Sequence, residues 1–554
     1  MSLLSNIAVF RGYSRPPRKP ISPSLPDHLV PHITIIRPVK GLEPQLYQCL
    51  ASTFRQTYPR SKLNVNLCVS SEDDPAYPVL EKIVDDFGYN NGQKEGYDVR
   101  LLVEEYDPLI SGLDGNELGL NPKIRNISRA YREAPADSLI WIVDCNVWIP
   151  KDVAGRMVDK LLGLQPGGKT TTPYKLVHQL PLVVDIPPSE ADKIKPTPAQ
   201  QEQASPLSSS KAWREGGGRL DEMFMATTHA KFYSAINTVG VAPCVCGKSN
   251  MFRKAHLDTY TQPSHNHHLT AADAARGTGV DFFSSYICED HLISDLLWNA
   301  PIPPDTTTAT SSDRPPLPFG NHALLPGDLA IQPAASVPVP AYWARRVRWL
   351  RVRKWTVLLA TLVEPGVESL LCSLYFAYAA TTLPFFNTTF GIPQTWGVTA
   401  ALWAAGVTIW MVCDRAVYSR LHSCACIDAD KDTPFFARGS AGGTGRPFSE
   451  WLPAWLGREL LALPIWTWAV LLGTTVTWRG KSFRVRSDMS VVSLDGLKDG
   501  GSGNALGKGA KENAKNWGSE QDGAEARAGQ HQDVPRWEGR PTATKRKSRS
   551  YNKE

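Results

Sequence analysis

The sequence predicts an α/β sandwich around a mostly parallel sheet, followed by a region that meets a membrane. Four short apolar runs, rich in β-branched residues, are typical of buried strands: residues 32–41, 63–71, 138–149 and 175–184. Stretches of mixed polar and apolar residues separate these runs, as helices do between parallel strands. Long segments without charge occur only after residue 353, so the membrane-associated part follows the sheet.

Acidic side chains stand where two of these strands end. Asp73 and Asp74 follow the second run, and Asp144 ends the apolar part of the third. In a parallel α/β sheet, ligands bind at the carboxyl ends of the strands. We therefore expect a polar site at this edge of the sheet, although an acid at a strand end also serves as a helix cap or a turn former.

The composition excludes several classes of protein. The chain has 554 residues, and its 10 cysteines are too sparse for a small secreted module held by disulfides. No short sequence period indicates collagen or a coiled coil. The net charge of +6 is too small to require a nucleic acid partner. Cys68, Cys145 and Cys288 fall in or beside predicted strands and the polar site, which favours a reducing compartment.

The predicted α/β domain covers residues 31–353. The segment before it, residues 1–30, has no apolar run long enough for a signal peptide or a span. Polar stretches, two of them rich in proline, interrupt the domain, and we expect disordered insertions near residues 187–211, 259–279 and 301–340. Residues 487–554 are rich in Gly, Lys, Glu and Arg, which predicts a disordered tail.

A membrane domain is predicted over residues 354–486. Residues 396–413 and 460–478 carry no charge, and each run is long enough to cross hydrocarbon. Residues 356–386 are mostly apolar but contain two glutamates, so we expect this segment to lie in the interface or to span with a kink.

The flanking charges indicate the topology of this region. Residues 344–354 are densely basic and contain tryptophan, which suits the cytoplasmic leaflet with its anionic lipids. Two crossings, with residues 356–386 lying in the interface, return the basic residues 481–486 to the cytosol. We therefore favour two crossings over three.

Four short motifs follow one another along the chain. They are EDDP at residues 72–75, VDCN at 143–146, CEDHLIS at 288–294 and RRVRW at 345–349. In this order they resemble the family 2 and family 21 glycosyltransferases of the GT-A fold, a Rossmann-like domain that binds nucleotide sugars. The signature of those families is three acidic motifs followed by (Q/R)xxRW. KGLEP at residues 40–44 and GLNPK at residues 119–123 make the chain more similar to the ceramide-glucosylating members of family 21.

The resemblance implies transfer of glucose from UDP-glucose to the primary hydroxyl of ceramide, with inversion to a β-glucoside. The resemblance implies that Asp290 is the general base and that Arg348 binds the departing diphosphate. It also implies that Trp349 offers an apolar face to the acceptor. Asp144 takes the position that binds Mg²⁺ or Mn²⁺, but residues 144–146 read Asp-Cys-Asn rather than DxD, so we expect weak metal affinity. The donor-binding residues implied are Asp73, Asp74, Asn121, Lys123, His229 and Arg345.

Other interpretations stay open on the sequence alone. Glu289 adjoins Asp290 and is the rival base, and His229 is as typical of a polar core residue as of a donor contact. A processive polysaccharide synthase shares the xxRW motif but needs a larger bundle of spans, and an inactive membrane scaffold is the third hypothesis. The resemblance places an integral membrane enzyme in the Golgi or endoplasmic reticulum with its catalytic domain facing the cytosol, where it reaches ceramide in the bilayer.

Overall fold

The computed structural model describes residues 2–89, 96–111, 118–187, 211–304, 317–364, 368–439 and 445–494. These residues belong to one compact unit, Met1–Asp495. The predicted insertion at 187–211 lies almost wholly outside the described residues, and so do residues 495–554 of the tail predicted over 487–554.

A seven-stranded sheet forms the centre of the described chain. Its strands, in chain order, are β1 (Ile33–Pro38), β2 (Leu63–Val69), β3 (Asp98–Val103), β4 (Leu139–Val143), β5 (Tyr174–Asp185), β6 (Ser249–Arg253) and β7 (Gly320–Ala334). Their order across the sheet is β3-β2-β1-β4-β6-β5-β7. All neighbouring pairs are parallel except those of β6, which runs antiparallel between β4 and β5. The predicted mostly parallel α/β sheet is confirmed.

Helices cover both faces of this sheet and continue into the C-terminal region. In chain order they are α1 (Ser2–Gly12), α2 (Leu46–Ala51), α3 (Tyr77–Phe87), α4 (Pro108–Ser111), α5 (Pro122–Arg132), α6 (Val153–Leu162), α7 (Lys211–Phe224), α8 (Ala230–Val239), α9 (Lys254–Tyr260), α10 (Glu289–Asn299), α11 (Val339–Arg353), α12 (Leu358–Val363), α13 (Ser369–Thr382), α14 (Pro384–Phe390), α15 (Trp396–His422) and α16 (Phe448–Trp466). A π-helical turn, Met225–His229, joins α7 to α8.

Alternating strand residues enter two separate cores, one on each face of the sheet. Ile35 and Trp141 pack with α6 on one face. Ile36 and Ile140 pack on the other face with Ile124 of α5. This alternation follows from the period of two in a strand, and burial on both faces explains the continuous apolar runs.

The C-terminal region contains a different set of candidate membrane helices from the predicted one. Within the described residues, one helix, Trp396–His422, is long and apolar enough to cross a membrane, and α13 with α14 forms a pair bent by 70° that passes the same test together. Helix α13 packs along α15, with Thr381 and Thr399 joined by their hydroxyls at 2.9 Å. The two helices form a hairpin, here called the membrane hairpin (residues 369–422).

The predicted span at 460–478 is wrong. Helix α16 ends at Trp466, a π-helical turn covers Thr467–Leu471, and residues 475–478 form strand β8 (Thr475–Trp478). With β9 (Lys481–Val485) and β10 (Val491–Ser493), this strand makes a small antiparallel sheet of order β10-β9-β8. The β-branched run at 474–477 explains the strand, and β10 also shows that ordered structure extends beyond residue 487, the predicted start of the tail.

Two predicted insertions also require correction. Residues 320–334 of the predicted 301–340 loop are β7, which pairs with β5 over most of its length. The prolines of this stretch led to the prediction of a loop. The strand lies at the edge of the sheet, where proline is tolerated. The described residues near 259–279 contain a 3₁₀ helix, Ala271–Arg276, with a capping box between Thr270 and Asp273.

Candidate active site

A buried arginine holds the loop that carries Asp144. Arg37 of β1 is fully buried, and its Nη1 donates to the carbonyls of Asp144 at 2.8 Å and Val147 at 2.9 Å. Its Nη2 donates to the carbonyl of Cys49 at 2.8 Å. Burial lowers the pKa of Arg37 to about 10, which leaves it charged at neutral pH. The sequence analysis missed this residue, although one arginine inside an apolar strand was a usable signal.

Two lysines bind the Asp144 carboxylate. Lys123 Nζ, in the first turn of α5, lies 3.1 Å from Oδ1, and Lys248 Nζ lies 2.9 Å from Oδ2. Burial alone raises the pKa of Asp144, but the two lysines outweigh it and hold that pKa well below its ordinary value. Lys248 was not predicted, because the segment before β6 has no pattern that marks it.

The two neighbouring acids of α10 have different surroundings. Glu289 is buried, with Oε1 3.4 Å from Lys123 Nζ and Oε2 accepting from Asn121 Nδ2 at 2.9 Å. Asn121 also caps α5 by accepting from the amides of Lys123 and Ile124. Asp290 is half-buried and faces the cavity described below. Both acids line the cavity, but Glu289 is buried and engaged by two side chains, whereas Asp290 is the more exposed of the two.

Gly247 lies so close to the Asp290 carboxylate that there is no room for a side chain at this position. A Cβ placed on Gly247 would lie 2.9 Å from Asp290 Oδ2 and 3.2 Å from Lys123 Nζ. Burial raises the pKa of Asp290, and the positive charge of Lys123 opposes this rise. A carboxyl group with a raised pKa is a better proton acceptor than an ordinary aspartate.

Helix α11 supplies the predicted basic and aromatic groups. Arg345 Nη1 lies 2.5 Å from Asp221 Oδ2, and its guanidinium lies 4.9 Å from the ring centre of Trp349. The guanidinium of Arg348 lies 5.4 Å from the ring centre of Trp478. Burial, and then the charge of Arg345, lower the pKa of Arg348 to about 10. Arg345, Arg348 and Trp349 all line the cavity.

Asp73 and Asp74 lie outside the cavity wall. Asp73 is exposed, and its amide donates to the Ser71 hydroxyl at 3.2 Å. Asp74 is buried and accepts from the amides of Gly41 at 2.8 Å and Ala76 at 3.0 Å. The structure thus gives Asp74 the role of fixing the 40–44 turn, whose Lys40 does line the cavity.

His229 is part of the cavity wall. Its ring stacks on that of Tyr233, with centres 5.2 Å apart. Burial and the nearby arginines Arg346, Arg353 and Arg345 lower its pKa to about 3, so the imidazole is neutral. A neutral ring is not a charge partner for an anionic ligand.

One cavity of about 1740 Å³ connects the charged cluster to apolar helices. Its wall includes Lys123, Asp144, Lys248 and Asp290 from the domain around the sheet. Other parts of the wall are apolar or aromatic and come from α7, α11, α12 and the membrane hairpin: Phe224, Trp349, Val352, Ala360, Cys372 and Trp410. This volume exceeds the roughly 300–1,000 Å³ of usual ligand sites, so there is room for two substrates.

Metal binding has limited support from the protein groups themselves. Among the described residues, no group of three or more His, Cys, Asp or Glu side chains is placed to hold a metal ion. Asp144 and Asn146 both line the cavity and offer one carboxylate and one amide. That donor set fits Mg²⁺ or Mn²⁺ when substrate phosphates complete the shell, because magnesium commonly takes only one or two protein carboxylates.

The α/β sheet carries a charged cavity at its strand ends, and this cavity continues to apolar helices. Comparisons with known proteins show that the chain is a glycosyltransferase. The sequence pattern of "Glycosyl transferase family 21" matches residues 3–185 and 319–491. The chain belongs to this family. The predicted fold class is confirmed in its α/β sheet domain and in the C-terminal helices that follow it, one of which is long and apolar enough to cross a membrane.

The chain is similar to known proteins over most of its own length and of theirs. A "Ceramide glucosyltransferase" of Pyricularia oryzae is 56% identical over 89% of this chain and 93% of its own. One of Gibberella zeae is 45% identical over 88% and 90%, and one of Candida albicans is 33% identical over 83% and 88%. Among solved structures, a mannosyltransferase of Pyrobaculum calidifontis covers 74% of this chain and 94% of its own at 15% identity, with a TM-score of 0.33.

Proposed function

We propose that this family 21 glycosyltransferase transfers glucose from UDP-glucose to the primary hydroxyl of ceramide, giving β-glucosylceramide. The names of the relatives support this acceptor and sugar. The observation that carries the proposal is the continuous cavity, which joins a cationic, carboxylate-bearing cluster to an apolar wall that includes residues of the membrane hairpin. A water-soluble donor and a lipid acceptor require such a combination.

The cations of the cavity suit a nucleoside diphosphate. Lys123, Lys248 and Arg348 converge on the space beside Asp144. As the glycosidic bond to the diphosphate breaks, negative charge grows on the leaving oxygen, and nearby fixed cations stabilise it. Arginine binds phosphate oxygens through two parallel donors, which fits Arg348 for the departing group.

We propose that Asp144 and Asn146 hold Mg²⁺ or Mn²⁺ together with the donor phosphates. The bound ion would supply further charge neutralisation of the diphosphate. Because both oxygens of Asp144 contact lysines, these cations compete with the metal for the carboxylate. We therefore expect the protein alone to bind the metal weakly.

Asp290 is the proposed base for a single displacement. Its carboxylate takes the proton of the acceptor hydroxyl while that oxygen bonds to the anomeric carbon and the bond from that carbon to the diphosphate oxygen breaks. Attack from the face opposite the leaving group inverts an α-linked donor to a β-glucoside. The half-buried position of Asp290 beside the cavity supports this role, whereas Glu289 is already bound by Asn121 and Lys123.

The apolar wall is the proposed site of the ceramide chains. Trp410 and Cys372 belong to the membrane hairpin, and both reach the cavity. Many outward residues of this hairpin are large and exposed, among them Tyr375, Phe376 and Ile409. Such a surface is typical of contact with lipid. A ceramide can then keep its chains in an apolar environment while its hydroxyl reaches Asp290.

We also propose that the catalytic domain faces the cytosol at a Golgi or endoplasmic reticulum membrane. All ten cysteines are free thiols, as in a reducing compartment. The basic helix α11 lies just before the membrane hairpin, which agrees with the excess of positive charge on cytoplasmic segments.

Product analysis tests the proposal. Membranes that contain the full chain are incubated with radiolabelled UDP-glucose and a short-chain ceramide, and the lipid product is treated with β- and α-glucosidases. We expect one glucolipid that only the β-glucosidase cleaves. A polymer, or a product from a sterol but not from ceramide, would overturn the proposed acceptor, and an α-linked product would overturn the single displacement.

A further inference from the structure

The small C-terminal sheet brings a second guanidinium to the active site. Strands β8 and β9 pair from Thr475 to Arg484 and are joined by the two-residue turn Arg479-Gly480. Trp478 and Arg479, at the tip of this hairpin, both line the cavity beside Asp144 and Arg348. The C-terminal hairpin is defined here as residues 475–485.

Several contacts fix the hairpin against the catalytic domain. Strand β10, which pairs with β9, is anchored by the amide of Val491, which donates to the carbonyl of Ser285 at 3.1 Å. Phe483 is fully buried in a cluster with Ile287 and Val352. Arg479 Nη1 donates to the carbonyl of Pro122, the first residue of α5, at 3.3 Å. The tip therefore lies next to the helix that carries Lys123.

Arg479 occupies a backbone conformation that its side chain does not favour. Its φ is +52°, and that of Gly480 is +79°. Two positive φ angles are the requirement of a type I′ hairpin turn, for which Asn or Gly is the usual residue. A non-glycine residue in this region costs conformational energy, and such positions cluster at functional sites.

Among the described residues, the two guanidiniums at this end of the cavity interact with carboxylates only at longer range, Arg348 with Glu289 and Asp144, and Arg479 with Glu104. Both Arg479 and Arg348 lie close to the Trp478 ring, with guanidinium carbons 5.5 and 5.4 Å from its centre. In the described part of the chain, neither guanidinium lies within ion-pair distance of a carboxylate. Two cations held near each other by one indole, and facing a cavity, are suited to bind an anion with several oxygens.

We propose that Arg479 binds the diphosphate of the nucleotide-sugar donor together with Arg348, with Trp478 holding both guanidiniums in place. This inference rests on the proposed function, since it assigns a residue to the donor of that reaction. It also requires the chain to return to the catalytic side after the membrane hairpin, as the contacts of the C-terminal hairpin show.

Arg479→Gly separates ligand binding from folding. Glycine accepts the positive φ, which offsets the loss of the Arg479–Pro122 hydrogen bond, so the melting temperature should stay close to that of the wild type. A charge-assisted hydrogen bond lost from the diphosphate should weaken UDP binding about 10- to 100-fold. We expect an equal rise in KM for UDP-glucose and no change in KM for ceramide. Arg484→Ala on the exposed face of β9 is the matched control and should leave UDP binding unchanged.

Arg479→Lys provides the second comparison. Lysine keeps the charge at the same turn and should bind UDP more tightly than the glycine variant, so equal affinities in these two variants would overturn the inference. UDP affinity of Arg479→Gly within twofold of the wild type would overturn it as well. If the wild-type protein itself does not bind UDP, the proposed function fails instead, which keeps the two failures distinct.

Discussion

Lys123 is the residue whose removal should disturb the site most broadly. Its ammonium group lies between Asp144 Oδ1 at 3.1 Å and Glu289 Oε1 at 3.4 Å. The negative charge of Asp290 also attracts it at longer range. Lys123→Met keeps much of the side-chain volume and removes the charge. Three carboxyl groups then lose a shared counter-charge at once.

The magnitude follows from these distances. With an effective dielectric constant of about 20, each of the two contacts contributes about 5 kcal/mol of Coulomb attraction. Desolvation of the buried ammonium offsets several kcal/mol of this sum, so we expect a net loss of about 3–5 kcal/mol in the free energy of unfolding. One pKa unit corresponds to about 1.4 kcal/mol, so the pKa values of Glu289 and Asp290 should rise by at least one unit.

The assay is the pH dependence of kcat and of the melting temperature for the wild type and Lys123→Met. A base with a higher pKa is lost to protonation at higher pH, so the acid limb of kcat should move upward by at least about one pH unit. A carboxyl group whose pKa is raised in the folded state binds its proton more tightly there than when unfolded. The melting temperature deficit of the variant should therefore be smaller at pH 5 than at pH 8.

Lys248→Met is the matched control. It removes a lysine that contacts Asp144 at 2.9 Å, while no contact joins it to Glu289. We expect it to weaken donor binding with a smaller shift of the acid limb. Equal acid limbs in the wild type and Lys123→Met would refute the assignment of Lys123 as the shared counter-charge of these acids.

Three further predictions concern other parts of the enzyme. Arg37→Met should lower the melting temperature and the donor affinity, because each buried carbonyl that loses its donor costs about 1–3 kcal/mol; a melting temperature like that of the wild type would contradict the role of Arg37 in holding the Asp144 loop. Cys372→Trp should fill the apolar wall and raise KM for long-chain ceramide far more than for a short-chain analogue, with KM for UDP-glucose unchanged; an equal effect on both ceramides would contradict the proposed acceptor site. Chelation with EDTA should reduce the rate and added Mg²⁺ or Mn²⁺ should restore it, whereas a rate unaffected by EDTA would contradict the proposed metal.

Much of the charged cluster could be predicted from the sequence. Asp144 ends a strand of a parallel sheet, and the 119–123 and 288–294 motifs supply Lys123 and Asp290, which the structure brings to the same cavity. The order of the motifs, rather than any one residue, carried that prediction. Asp74 shows the limit of this reasoning, because its carboxylate accepts from backbone amides of a turn and lies outside the cavity wall.

The C-terminal hairpin could not be predicted, since hydropathy alone does not distinguish an apolar strand from part of a span. Residues 460–478 carry no charge, yet they end in β8 and deliver Trp478 to the site. A different ambiguity led to the wrong prediction for β7, whose prolines are typical of a loop. Lys248 acts through a tertiary contact with Asp144 that no local pattern in the sequence marks, whereas Arg37 has a local signal, a charge inside an apolar strand, but its partners are tertiary.

The comparison of Asp290→Asn with Glu289→Gln tests the proposed mechanism most directly. Each variant neutralises one of two adjacent acids, and both are assayed in membranes with UDP-glucose, a short-chain ceramide and Mg²⁺, with UDP binding measured beside the rate. The account predicts that Asp290→Asn binds UDP and forms about 10²–10⁴-fold less glucolipid, the usual contribution of a general base. It predicts that Glu289→Gln keeps a much larger share of the activity. Near-normal activity of Asp290→Asn, with loss in Glu289→Gln, would contradict the assignment of the base.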